Sequence, residues 1–321
     1  MKIPNILTTP APSMARLILT ITAFFLASLI PVIGVFFLAV LPGALFVLST
    51  ANDPAKVLPA LAFSAGGLLI LLSAIASGWP VFALAVMASA GVLAAHLTRN
   101  QYSIEAVIGF ACLFVLAMLA VFLMITGMRA SVSPWDLVQH YIRESVEINI
   151  RLYSRLPLGP EEQAAIQSGK DGIVALFTKI FPALSFIAVA GTLWLNILAG
   201  RRMLAHSNSS AHRFEPLSHW MAPSWLVWVF IAAGIAIFLP AEKVNLVGIN
   251  IFLAAAFIYF LQGLAIVSFF FQTRKTSGFL RGLAYFLIAV QQILMLAIAL
   301  IGFLDIWIDF RKHLRQSESP S

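Results

Sequence analysis

The sequence predicts an all-α fold, a polytopic transmembrane helical bundle of about eight or nine spans with an amphipathic helical insert outside the membrane. Hydrophobic residues make up 61% of the 321 positions and charged residues only 10%. The charges fall in clumps between apolar runs of roughly 18 or more residues, the length that crosses a hydrocarbon layer as a helix.

Taken in order, residues 1–16 form a polar leader with Pro4, Pro10 and Pro12. An N-terminal bundle follows at 17–129. Its first apolar run contains Pro31 and Pro42 and is too long for one ordinary span, so it reads as two, about 17–30 and 34–50, joined by a turn at Pro31-Val32-Ile33-Gly34. A single tilted, kinked helix is the alternative. Further spans are expected near 57–77, 80–97 and 104–128. Small residues concentrate in the first two of these (Ala62, Gly66 and Gly67, then Ala85, Ser89, Ala90 and Ala94), which lets helix backbones approach closely.

Residues 130–172 are the long polar stretch of the chain. Ser133-Pro134 is a helix start, with Ser as the cap and Pro at the first helical position. Val138, Tyr141, Ile142, Val146, Ile150 and Tyr153 then recur at three- and four-residue spacing, with Arg143, Glu144, Glu147, Arg151 and Arg155 on other faces. Glu147 and Arg151 make a favourable i,i+4 pair. Pro157 ends this helix, and a short second one is expected from Pro160 to near Gly169. The pattern suits a helix lying on the membrane or covering the mouth of the bundle.

A C-terminal bundle occupies 173–310, with spans near 174–200, 222–240, 245–271 and 280–308, before a charged tail at 311–321. Trp220, Trp225 and Trp228 mark a headgroup boundary. Basic residues flank the span ends (Arg16, Arg99, Arg201, Arg202, Arg274, Lys275, Arg281), where they anchor to anionic headgroups rather than to nucleic acid. With nine spans, an N-terminus inside keeps most of them cytoplasmic and exports the tail. The first span reads as uncleaved rather than as a signal peptide. Together these features predict a multi-pass membrane protein, with the lipid bilayer as its first partner.

Two groups of residues stand out as candidate sites. Asp305 and Asp309 are i,i+4 neighbours near a helix C-terminus, where like charges repel and acids oppose the helix dipole. They call for a compensating cation, either a basic side chain such as Arg311 or Lys312 or a bound cation or proton. The second group is the amides inside apolar spans, Asn196, Asn245, Asn250, Gln262, Gln291 and Gln292, each needing a hydrogen-bond partner. Asn250, Tyr259, Gln262 and Gln291 are candidate solute ligands if they converge on a cavity, although Asn250 and Gln262, twelve residues apart, lie on different helix faces.

No metal-binding, nucleophile-elbow or phosphate-loop motif is present, so no catalytic residues, metal or cofactor are expected and the chain reads as non-enzymatic. The single Cys112 lies in an apolar run and forms no intramolecular disulfide.

The stretches Tyr259-Phe-Leu-Gln262-Gly263-Leu-Ala-Ile and Gly302-Phe-Leu-Asp305-Ile-Trp307-Ile-Asp309-Phe-Arg311, with Pro223-Ser-Trp225 and Pro31-Val-Ile-Gly34, resemble the YybS-like family of bacterial multi-pass membrane proteins. That family is distantly similar to the solute-binding S components of energy-coupling-factor transporters. The resemblance implies a small-molecule solute and a membrane protein partner contacted through small residues of the first helix, for which Ala23-x-x-x-Ala27 is compatible. Two expectations stand at this point: a solute-binding or transport protein, or a non-enzymatic membrane scaffold.

Overall fold

A computed structural model gives the fold and describes residues 13–30, 33–72, 78–153, 159–206 and 217–312. Among these, the regular elements are all helices: α1 (Met14–Ala27), α2 (Ile33–Ala51), α3 (Pro54–Leu72), α4 (Gly78–Arg99), α5 (Ile104–Ala130), α6 (Pro134–Tyr153), α7 (Pro160–His206), a 3-10 turn (Leu217–His219), α8 (Leu226–Ile237), α9 (Glu242–Thr273), α10 (Gly278–Val290) and α11 (Gln292–Ile308). The Pro31-Val32 turn, Gly67's surroundings, Arg155, Pro157, His212 and the tail beyond Lys312 lie outside the described residues.

Five of these helices are long and apolar enough to cross a membrane, or six if α10 and α11 count as one bent span. Eight or nine were expected. The difference arises because apolar character is not helix length. Helix α8 has 12 residues and α1 has 14, about 18 and 21 Å at 1.5 Å per residue, short of a core about 30 Å thick. The expected last span is broken at Gln291, where α10 and α11 meet at 102°. Conversely, the helix expected to stop near Gly169 does not: α7 runs for 47 residues from Pro160 into the next span. Gly169 and Gly172 weaken it only modestly, since one glycine costs about 1 kcal/mol in a helix.

Two compact units divide the chain, Met1–Phe122 with Ala188–Phe214, and Leu123–Ile187 with Glu215–Ser321. In the first, Leu17, Ile21 and Phe25 form a four-residue-spaced stripe on α1. They pack with Leu41 and Leu45 of α2, Val57 and Ala60 of α3, and Leu84 and Ala88 of α4. A second cluster joins Phe46 of α2, Ala94 and Ala95 of α4, Val107 of α5, and Ile197 and Leu204 of α7. Ala90 and Ala94 are buried as small-residue packing predicts, whereas Gly66 faces open space. The Arg99 guanidinium donates to the carbonyls of Ser49 and Asn52, satisfying acceptors that the end of α2 leaves unpaired.

Each unit contains the same proline device. Pro42 lies inside α2 and has no N–H to donate. One residue on, the Gly43 N–H donates to Oδ1 of Asn196 on α7 (3.0 Å), while Nδ2 of Asn196 donates to the Ala39 carbonyl (2.8 Å). In an unbroken helix that N–H and that carbonyl pair with each other. Only glycine fits at position 43, because a Cβ there would lie 2.4 Å from the Asn196 oxygen. In the second unit Pro182 lies inside α7. The Ala183 N–H donates to Oδ1 of Asn250 on α9 (2.8 Å), and Nδ2 of Asn250 donates to the Lys179 carbonyl (2.8 Å). The offsets from the proline are identical. Both asparagines also donate to the carbonyl four residues back on their own helix, Thr192 and Leu246.

In the second unit, α6 starts as expected: the Asp136 N–H donates to Ser133 Oγ (3.0 Å). Its charges also pair with α7, beside the attraction of Arg151 and Arg143 for Glu147 along α6. Arg143 meets Asp171 at 2.9 Å and Lys170 meets Glu147 at 2.6 Å. The hydrogen bond from Lys170 holds the Glu147 carboxyl below its ordinary range. Helix α9 packs against α8 and α11. Its crossing with α11 places Gly263 against Gly302: a Cβ on Gly302 would sit 2.0 Å from the Tyr259 carbonyl oxygen, and one on Gly263 2.0 Å from that of Ile298.

These contacts lead to two expectations. Asn250→Leu strands the Ala183 N–H and Lys179 carbonyl and lowers stability by about 2 kcal/mol. Pro182→Ala in the same chain restores part of the loss, because the helix can then close its own rung; unfolding in mixed micelles measures both. Gly302→Ala forces α9 and α11 apart and costs about 3 kcal/mol or more, well above an ordinary overpacking change. A Gly302→Ala variant as stable as the native chain contradicts the crossing.

Candidate functional site

Where α9, α11 and the segment leading into α8 meet, four polar side chains are buried among apolar helices. Gln262 is 0% exposed, Tyr259 1%, Asp305 2% and Arg311 6%. Tyr259 and Gln262 are three residues apart on α9, and therefore on one side of it. Gln262 is roughly 30 Å from the Glu242 end of that helix and 16 Å from the Thr273 end at 1.5 Å per residue.

Gln262 is held at both ends of its amide. Nε2 donates to Oδ2 of Asp305 (3.1 Å), and Oε1 accepts from the Ala222 N–H (3.1 Å). Asp305 Oδ1 accepts from the Phe310 N–H at 3.0 Å. The Arg311 guanidinium lies 3.5 Å from Asp305 Oδ2 and donates to the Trp220 carbonyl (2.8 Å). The compensating cation that Asp305 requires is thus Arg311, one of the two basic side chains the sequence offered nearby. An isolated carboxylate would be too costly at this burial, and the guanidinium and the N–H donors of Gln262 and Phe310 offset that cost.

Asp309 leaves the helical register expected of it. The expected i,i+4 pair assumes that the helix continues, but α11 ends at Ile308 and Asp309 takes a left-handed conformation, φ 47°. This turn lets the Asp309 Oδ1 accept from the Lys312 N–H (3.2 Å). It also brings Arg311 back onto Asp305.

Of the four residues expected to bind a solute, the structure brings together only Tyr259 and Gln262. Asn250 bridges the Pro182 rung of α7, and Gln291 sits exposed at the break between α10 and α11. A cavity of about 80 Å³ does exist in the first unit, lined by Ser49, Val57, His96 and Arg99 among others. It has room for a few waters and contains none of the expected ligand residues. Among the described residues, no group of three or more His, Cys, Asp or Glu could hold a metal ion.

The Tyr259 hydroxyl is not paired as the Gln262 amide and the Asp305 carboxylate are. It is buried with no hydrogen-bond partner among the described residues, while its ring stands edge-on to Phe230 and Phe303 at 5.4 and 5.3 Å. Sequence reading missed the Trp220–Ala222 segment, which contributes a backbone carbonyl and a backbone N–H that carry no side-chain signal. Lys179 was also missed as a partner: its Nζ donates to Asn245 Oδ1 at 2.6 Å.

A family described as predicted membrane protein (DUF2232) matches residues 18–306. No curated protein and no solved structure matches the chain. The match spans most of the sequence, from the first apolar run to the Asp305 segment, and the chain belongs to this DUF2232 family of predicted membrane proteins.

Proposed function

We propose that this chain is a non-enzymatic, solute-binding protein of a bacterial cell membrane, with its polar site at Tyr259, Gln262 and Asp305. The observation that carries this reading is the Tyr259 hydroxyl, buried without a hydrogen-bond partner among the described residues. Leaving such a group unpaired costs roughly 1–3 kcal/mol, and a solute carbonyl or hydroxyl beside it would remove that cost. Gln262 lies one turn further along the same face of α9, and Asp305 of α11 meets its amide, which together offer a donor and an acceptor for a small polar molecule. The site is closed in this arrangement, so a solute enters by displacing the Trp220–Ala222 segment from Gln262 and Arg311. A cation or proton reaching Asp305 would do so in exchange for the Arg311 guanidinium.

The resemblance to the YybS-like family, and through it to S components, supports the same reading. So does the discontinuity of the helices, since transporters place binding sites beside broken or proline-interrupted spans. In this reading α1 faces a membrane partner, and Ala23 is exposed on it. Tight pairing of the interior amides favours the second reading, a membrane scaffold whose α6 presents exposed Tyr141, Ile148 and Leu152.

Mass spectrometry of small molecules that co-purify with the protein, followed by thermal-shift titration of those found, separates the two. Tyr259→Phe should raise the stability of the solute-free protein by about 1 kcal/mol and weaken solute-induced stabilisation. Gln262→Leu should abolish that stabilisation while the protein still folds. A full solute response in both variants, or no co-purifying solute, contradicts the proposal and leaves the scaffold.

A further inference from the structure

We infer that α10 is an in-plane helix seated on an anionic lipid surface, not half of a membrane span. Four observations converge. The helix has 13 residues, about 20 Å at 1.5 Å per residue, too short to cross the bilayer core. It meets α11 at 102°, so with α11 crossing the membrane α10 runs close to the membrane plane.

Its side chains divide cleanly. Arg281, Tyr285 and Ile288 turn toward the protein: the Arg281 guanidinium donates to the Phe271 carbonyl (2.8 Å), Tyr285 stands edge-on to Phe271, and Ile288 is buried. On the opposite side Phe279, Leu283, Phe286 and Val290 recur at four-, three- and four-residue spacing. All four are exposed, Phe279 at 80%, and Leu280 and Leu287 broaden the stripe. An apolar face this continuous needs an apolar cover.

Charge identifies that cover. Arg274 and Lys275 precede α10, both exposed, and neither makes an ion pair among the described residues. Between Lys243 and Asp305 the sequence contains no Asp or Glu. Exposed cations beside an unshielded apolar stripe match phosphate headgroups lying over acyl chains. A protein partner would have to offer acids and an apolar groove together, and nothing on this chain selects one.

The test uses full-length protein in a Cys112→Ala background, with single spin labels at positions 279, 283, 286 and 290. The protein is reconstituted in vesicles of equal parts phosphatidylcholine and phosphatidylglycerol. Collision with oxygen and with a water-soluble nickel chelate reports the depth of each label. All four labels should show high oxygen access, low nickel access and one common depth. A steady change of about 16 Å in depth from position 279 to position 290 would mean that the helix crosses, and overturn the inference. Low access to both reagents would mean that protein covers the face, with the same result. In a second arm, phosphatidylglycerol should raise Tm above its value in phosphatidylcholine alone, and Arg274→Gln with Lys275→Gln should remove most of that shift. An undiminished shift overturns the headgroup contact. Arg274→Lys, which keeps the charge, should retain the shift and separates charge from folding.

Discussion

A polar group inside an apolar bundle has no water to turn to, and this constraint organises the interior of the protein. Every amide, carboxylate or guanidinium among the helices must find its partner on another part of the chain or remain at a cost of kilocalories. The partners it finds determine which helices meet and at what height. Asp305 binds α11 to α9 through Gln262 and to the Trp220 segment through Arg311. Gly263 and Gly302 then allow the two backbones to come close enough for those short side chains to reach. The hydrogen bonds and the glycine contact depend on each other: neither geometry survives if the helices separate.

The prolines create the complementary problem, backbone groups without partners, and the same rule resolves it. Pro42 and Pro182 each disturb a helix, and each time an asparagine from a neighbouring helix reaches across the next rung. Such a joint makes a backbone rung depend on a second helix, because it closes only when the two are in register. Helix α7 takes part twice, receiving Asn250 at Pro182 and supplying Asn196 to Pro42. A helix interrupted and bridged in this way can bend without leaving a buried donor exposed to lipid, which is how broken helices persist at membrane depth.

Much of this was legible in the sequence because polar residues in apolar runs are conspicuous. Asp305, Gln262, Asn196 and Asn250 were all identifiable as groups that must be paired, and Arg311 was one of two nearby basic side chains that could pair with Asp305. What they pair with was not legible. Nothing local links Asn196 to Gly43, 153 residues away, and a backbone carbonyl such as that of Trp220 has no signature at all. The left-handed turn at Asp309 was hidden for a related reason, since a periodic reading continues a helix until a Gly or Pro stops it. The break at Gln291 escaped in the same way, since residues 283–301 around it contain neither. Apolar length also overstated the number of crossings, because α1, α8 and α10 are apolar but short.

The central claim is that Asp305 and Arg311 are a coupled buried pair, and a double-mutant cycle tests it most directly. Asp305→Asn, Arg311→Gln and the double variant would be compared by reversible unfolding in bicelles. Each single change should cost about 3–5 kcal/mol, because it leaves the opposite charge buried and alone. The double change should cost less than the sum of the two by roughly 1–3 kcal/mol. Strictly additive losses would mean that the two charges do not depend on one another, and would contradict the account.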